Sequence, residues 1–222
     1  MVITFDGAAG AGKSSLARGL ADNIGFNFCS AGAIYRAIAY KILSNNIGPL
    51  EYDKIRLLLE NTDVYLIYKR GHFDVFLDGK DVTNEAYSKT ISEFTPHVAK
   101  IPFLREFVRS IQYKMAENGN LIIEGRDTGS VVFKNADLKF FVVVSDELRA
   151  KRRMKEYLNK GENISFEECL KRVILRDKED EEREASPLIK PDGAIVFENN
   201  YDTYEEALEA LTKIVKQKLN LK

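Results

Sequence analysis

Histidine and cysteine are scarce in this chain, with two of each in 222 residues. His72 and His97 stand too far apart to suggest a metal site, and Cys29 and Cys169 cannot supply a disulfide framework for a chain of this size. Both thiols read as small apolar core residues that fit a reducing compartment. No apolar run approaches the roughly 20 residues that a membrane span needs. Charge of one sign is also missing: 33 Lys and Arg against 34 Asp and Glu leave a net charge of −1. Bulk electrostatics therefore give no reason to expect a nucleic acid or an anionic membrane as partner. Any bound anion must be held by local clusters. The N-terminus runs straight into strand-like Val2-Ile3-Thr4-Phe5, without a basic leader and apolar segment, so a cytoplasmic protein is expected.

What is present alternates between strand-like and helix-like patterns. That alternation predicts an α/β fold with a largely parallel sheet. Buried strands are expected at Val2–Phe5, Phe26–Phe28, Leu121–Ile123, Leu138–Val144 and Ala194–Phe197. Helices are expected at Lys13–Asn23, Ala33–Leu43, Tyr52–Glu60, from Ser88, and from Pro102 to about Glu117. Two highly charged helices follow at Glu147–Leu158 and Phe166 to about Glu184, then an amphipathic one at Tyr204–Leu219. Between them, Val64–Lys69 and Phe73–Leu77 alternate in period two around Arg70-Gly71, and Asp78-Gly79 marks another turn. This reads as a small antiparallel unit inserted on the substrate side.

The strongest motif is Gly7-Ala8-Ala9-Gly10-Ala11-Gly12-Lys13-Ser14, which fits G-x-x-x-x-G-K-[ST] in full between a strand and a helix. Backbone N–H groups must turn inward around a phosphate, so bulky side chains are excluded. The helix that follows offers unpaired N–H groups and a positive dipole end. Lys13 can reach the β- and γ-phosphates of ATP, and the hydroxyl of Ser14 or Ser15 can meet Mg²⁺. No N-K-x-D base-reading motif of GTP switches is found. A small P-loop kinase is the better reading.

Arginine supplies a second constellation. Its permanently charged guanidinium grips phosphate through two parallel hydrogen bonds. Arg36 follows the second strand, Arg105 lies on the helix after Pro102, and Arg126 sits in Gly125-Arg126-Asp127 just past a buried strand. Arg149, Arg152 and Arg153 cluster on one charged helix, with Arg176 and Arg183 on the next. Gly7, Ser30 and Arg126 all fall beyond strand carboxyl ends, where ligands gather in open α/β sheets. Arg109 and Arg172 read as solvated charges, as does most of the acidic run from Lys178 to Glu184.

These strings together resemble the bacterial cytidylate kinases, within the nucleoside monophosphate kinases. The resemblance covers nearly the whole chain. It rests on Gly7 to Ser15, Gly32-Ala33-Ile34-Tyr35-Arg36, and Gly125-Arg126-Asp127 with Gly129 and Val131-Val132-Phe133. It continues in Arg152-Arg153, Arg176-Asp177, Asp180, Arg183 and Ser186-Pro187-Leu188. It implies a P-loop NTPase fold with a central parallel five-stranded sheet flanked by helices, an inserted antiparallel β subdomain and a helical lid. The expected division is a core of 1–30, 119–148 and 188–222, a monophosphate-binding subdomain of 31–118 and a lid of 149–187.

The resemblance also implies roles. Arg36 and Arg126 hold the acceptor phosphate, Arg105 and Asp127 read cytosine, Arg176 and Asp180 contact the ribose, Arg183 the phosphate region, and Arg152 and Arg153 close over ATP. The base assignment makes physical sense. Asp127 can accept from the cytosine amino group and Arg105 can donate to the ring acceptors, a pattern that uracil reverses. Glu124 stands where a Walker-B acid would, either orienting Mg²⁺ or its waters or serving structure. The chain departs from the family in carrying Ser30-Ala31 where Asp and then Ser or Thr are usual, and Thr95-Pro96 where a base-contacting Ser is frequent.

The expected reaction is transfer of the γ-phosphoryl group of ATP, with Mg²⁺, to CMP or dCMP. The alternatives are a P-loop kinase for UMP, AMP or a small metabolite, and a non-catalytic nucleotide-binding regulator. No coiled coil or interface helix is evident, so a monomer is expected.

Overall fold

The fold grows around a β-strand that is buried along nearly its whole length. In the computed structural model, described for residues 1–159, 161–182 and 184–221, β1 (Val2–Gly7) occupies the centre of a five-stranded sheet. The sheet order is β2 (Asn27–Ser30), β6 (Leu121–Glu124), β1, β7 (Leu138–Val143), β8 (Ile195–Glu198). All four pairings are parallel. Parallel strands covered on both faces need continuous apolar runs, and Ile3, Phe5, Leu121, Ile122, Ile123 and Phe140 are fully buried. Phe5 stacks on Phe140 with ring centroids 4.9 Å apart. Register brings Gly7 level with Val142, Phe5 with Glu124, and Ser30 with Glu124. The carboxyl ends of these four strands therefore open onto one edge.

Helices α1 (Lys13–Ile24) and α2 (Ala31–Ser44) follow the first two strands. The second strand runs two residues beyond its expected end at Phe28. Ser30 then accepts from the Ala33 N–H as N-cap, which starts α2 at Ala31 instead of Ala33. After α3 (Tyr52–Glu60) comes the inserted antiparallel sheet of β3 (Val64–Lys69), β4 (His72–Leu77) and β5 (Lys80–Asp81). It turns at Gly71 and at Asp78-Gly79, all with positive φ.

Two short elements had no expectation in the sequence. The one-turn α4 (Thr83–Ala86) leads into α5 (Lys89–Val98) and α6 (Pro102–Glu117). A π-type turn at Thr128–Val132 follows β6. The charged helices are α7 (Asp146–Asn159) and α8 (Phe166–Glu182), and α9 (Tyr204–Leu219) closes the fold. A capping box between Thr203 and Glu206 starts α9. Among the described residues no helix is long and apolar enough to cross a membrane.

Candidate active site

The phosphate loop joins β1 to α1 and is forced into shape by its surroundings. Gly7 has φ +145°, and a Cβ there would lie 2.3 Å from the Val142 carbonyl oxygen of β7. Gly12 has φ +82°, and its Cβ would lie 2.7 Å from Asn199 Nδ2, which donates to the Ala11 carbonyl at 2.9 Å. No side chain caps α1, so its first N–H groups are left for an anion. The Lys13 side chain is buried and its Nζ donates to the Ala8 carbonyl at 2.7 Å. Burial, reinforced by the Arg126 guanidinium, lowers its pKa to about 7 against the pull of Glu124, Asp6 and Asp180. Bound phosphates would supply the missing negative charge.

The residues expected on the acceptor side lie around the ends of β2 and β6. Ser30 Oγ donates to Glu124 Oε1 at 2.5 Å. Asp180 of α8 accepts from Arg126 Nε at 2.8 Å and lies 3.3 Å from Arg176 Nη2. Arg105 on α6 is ion-paired with Asp127, donates to the Ala99 carbonyl at 2.8 Å, and lies over the Tyr35 ring. Arg36 lies over the Tyr87 ring. Burial lowers its pKa, Tyr87 and Glu124 oppose that shift, and Arg126 and Arg153 add to it. The expected substrate residues Ser30, Arg36, Arg105, Arg126, Asp127, Arg176 and Asp180 thus line one interconnected region. Arg183 lies outside the described residues.

The charged helix α7 rests on the phosphate loop. Arg149 Nη1 donates to the Ala9 carbonyl at 3.0 Å, while Nη2 pairs with Asp146 at 2.6 Å and with Asp177 of α8. Arg152 Nη2 donates to the Asn199 carbonyl at 3.3 Å. Arg153 pairs with its own helix neighbour Glu156 at 2.6 Å. A cleft of about 390 Å³ opens beside the loop, between Ala8, Val144, Arg149 and Asp177.

Several features escaped the sequence reading. Arg109 is not a solvated charge: it is half-buried, and its Nη2 donates to Ser186 Oγ at 3.1 Å. Its spacing of four from Arg105 was the available signal, since that puts both on one helix face. Arg172 does stay on the surface, paired with Glu168. Thr95 Oγ1 donates back to the Ile91 carbonyl of its own helix at 2.6 Å. Asp6 carried no expectation, yet it accepts from Thr128 N (2.8 Å), Thr128 Oγ1 (2.7 Å) and Gly129 N (2.6 Å), fastening the turn after Asp127 to β1. Burial pushes the Asp6 carboxyl pKa up against these hydrogen bonds.

Mg²⁺ keeps several waters and binds through one or two protein groups plus substrate phosphates. The residues present fit that pattern. Among the described residues no cluster of three or more His, Cys, Asp or Glu could hold a metal. Asp6 commits both oxygens to backbone and hydroxyl donors, whereas Glu124 receives one donor from Ser30 and lies close enough to Lys13 to perturb it.

A parallel sheet bearing a phosphate loop, with a cluster of arginines beyond the same strand ends, is the architecture of a P-loop phosphotransferase. The model of the cytidylate kinase family matches residues 3–217, and the chain belongs to that family. It is 40% identical over 215 residues to a cytidylate kinase of Caldanaerobacter subterraneus, covering 97% of this chain and 94% of that one. A cytidylate kinase of Bacillus subtilis is 36% identical over 216 residues, covering 97% and 96%. Among solved structures, a shikimate kinase from Bacteroides thetaiotaomicron aligns with a TM-score of 0.51 at 11% identity, covering 100% of this chain and 99% of that one. That likeness is one of fold.

Proposed function

We propose that this chain transfers the γ-phosphoryl group of ATP to CMP or dCMP, giving ADP and CDP or dCDP. The observation that carries the acceptor assignment is the buried Arg105–Asp127 pair, a donor and an acceptor side by side next to the phosphate-binding Arg126. Cytosine presents the complementary acceptor and donor edge.

ATP lies along the phosphate loop, Gly7, Ala8, Ala9, Gly10, Ala11, Gly12, Lys13, Ser14 and Ser15, with Lys13 at its β- and γ-phosphates. Arg36 and Arg126 hold the acceptor phosphate, Asp180 and Arg176 take the ribose, and Arg152, Arg153 and Arg183 come onto the transferring group. An acceptor phosphate oxygen bonds to the γ-phosphorus as the bond to the β–γ bridging oxygen breaks, and ADP leaves with that electron pair. The acceptor oxygen is already ionised, so no strong base is required. The residues act by positioning and by charge stabilisation. Ser14 and Glu124 would hold Mg²⁺, which supplies neutralisation of the developing phosphate charge.

Residues 149–187 act as the lid, 31–118 as the acceptor subdomain, and 1–30, 119–148 and 188–222 as the core. Closure excludes water that would otherwise hydrolyse ATP. The enzyme works as a monomer in the cytoplasm, with no nucleic acid or membrane partner. Calorimetric titration with CMP and UMP tests the acceptor reading. CMP binding well above UMP binding is expected, and equal or reversed affinities would contradict it.

A further inference from the structure

Among the acceptor-side arginines, Arg36 is held in a different way from the others. Arg105 pairs with Asp127, and Arg126 and Arg176 both pair with Asp180. Among the described residues, Arg36 donates only to the Gly32 carbonyl of its own helix, at 3.3 Å, and its buried Nε has no hydrogen-bond partner. What faces its guanidinium is the ring of Tyr87, with the centroid 5.1 Å from Cζ. A carboxylate would orient an arginine but would also neutralise it and compete with an incoming phosphate. An aromatic face attracts the cation through its quadrupole and leaves the charge in place.

The ring is itself fixed in position. Tyr87 closes α4, its backbone N–H bonding to the Asn84 and Glu85 carbonyls. Its ring meets Phe73 of β4 edge-on at 6.4 Å. The phenol interacts with Ser30, which donates to Glu124. The segment that follows the inserted antiparallel unit thus meets α2 through the Tyr87 ring under Arg36.

We propose that Tyr87 is a positioning residue of the acceptor-phosphate site, its ring face aiming Arg36 at the phosphate without neutralising it. The inference rests on the reading of Arg36 as a phosphate ligand. Electrostatics agree with it: Arg36 is already disfavoured as a cation by burial and by the nearby Arg126 and Arg153, and a bound phosphate would reverse that.

The test is steady-state kinetics of Tyr87→Leu and Tyr87→Phe with CMP and ATP varied separately. Leu removes the ring, and KM for CMP is expected to rise about tenfold, or about 1.4 kcal/mol, with KM for ATP within about twofold of wild type. Phe keeps the ring and is expected to restore KM for CMP to near the wild-type value. A Leu variant with unchanged KM for CMP, or with both KM values and kcat altered together, would overturn the proposal. So would a Phe variant as impaired as Leu, which would give the role to the hydroxyl. Tyr87→Gln, of similar reach but without a ring, should behave as Leu and supplies the same reading if Leu does not fold. Wild-type enzyme inactive on CMP would sink the acceptor assignment itself. Active wild type with an indifferent Leu variant would sink the Tyr87 inference alone.

Discussion

Arg105 and Asp127 are ion-paired and buried, their side chains 3% and 8% exposed. One comes from α6 and the other from just beyond β6. Two groups assigned to read opposite parts of one base edge are therefore each other's partners before a base arrives. A buried pair broken on one side leaves an uncompensated charge, so any ligand that enters between them must satisfy both. Cytosine would do so, whereas uracil would place an oxygen against the carboxylate. Replacing Asp127 with Asn keeps the shape and turns one acceptor oxygen into a donor. The preference for CMP over UMP, measured as the ratio of kcat/KM values, should fall by about a hundredfold or more. An unchanged ratio would remove Asp127 from base reading.

Lys13 gives a prediction with a definite sign. Its pKa in the free protein is about 7, so at pH 8 the amine is mostly neutral. Phosphates that contact it favour the ammonium. ATP binding at pH 8 should therefore take up close to one proton, and at pH 6, where Lys13 is already charged, almost none from this group. Titration calorimetry in buffers of different ionisation enthalpy measures the uptake. Lys13→Ala should abolish it and lower kcat by several orders of magnitude while leaving the fold intact. The same shift acts on stability. The folded pKa lies below that of an unfolded lysine, so the unfolded chain binds more protons between about pH 7 and 10.5, and this group's contribution to stability rises with pH there.

Gly7 tests the fit between the phosphate loop and the sheet. At φ +145° an alanine Cβ would lie 2.3 Å from a backbone oxygen of β7, and backbone cannot rotate aside as a side chain can. Gly7→Ala should cost about 3 kcal/mol or more, read as a lower denaturation midpoint in urea. A midpoint within error of wild type would show that the strand and loop can separate cheaply.

Arg109 makes a contact across the molecule, from α6 to Ser186 beyond α8. Losing a hydrogen bond to a charged group at a half-buried site should cost about 1–2 kcal/mol. Arg109→Ala should show that loss in thermal or chemical unfolding. A solvated surface arginine would show none.

The phosphate loop was legible because its constraint is local: backbone must wrap an anion, and only small residues with a following lysine permit that. The central strands were legible for a similar reason, since strands buried on both faces carry unbroken apolar runs such as Leu121-Ile122-Ile123. Arg126 could be placed because it follows such a strand directly. Elements of four or five residues, such as α4 and the turn at Thr128–Val132, are too short for periodicity to register. Asp6 was hidden within a strand, where its acceptors matter only once β6 and the following turn pack beside it. Tyr87 was illegible for the same reason: its meaning depends on where the inserted unit folds back onto α2. Arg109 could have been found from its helical spacing to Arg105, whereas Ser186 as its partner could not.

The most direct test of the central claim is ADP release by the intact enzyme with Mg²⁺ and ATP, comparing CMP, dCMP, UMP, AMP and no acceptor in one assay. The arrangement of Lys13, Arg126, Arg105 and Asp127 predicts turnover with CMP and dCMP far above the other three conditions. Turnover led by UMP or AMP, or ADP release that does not depend on an acceptor, would contradict it.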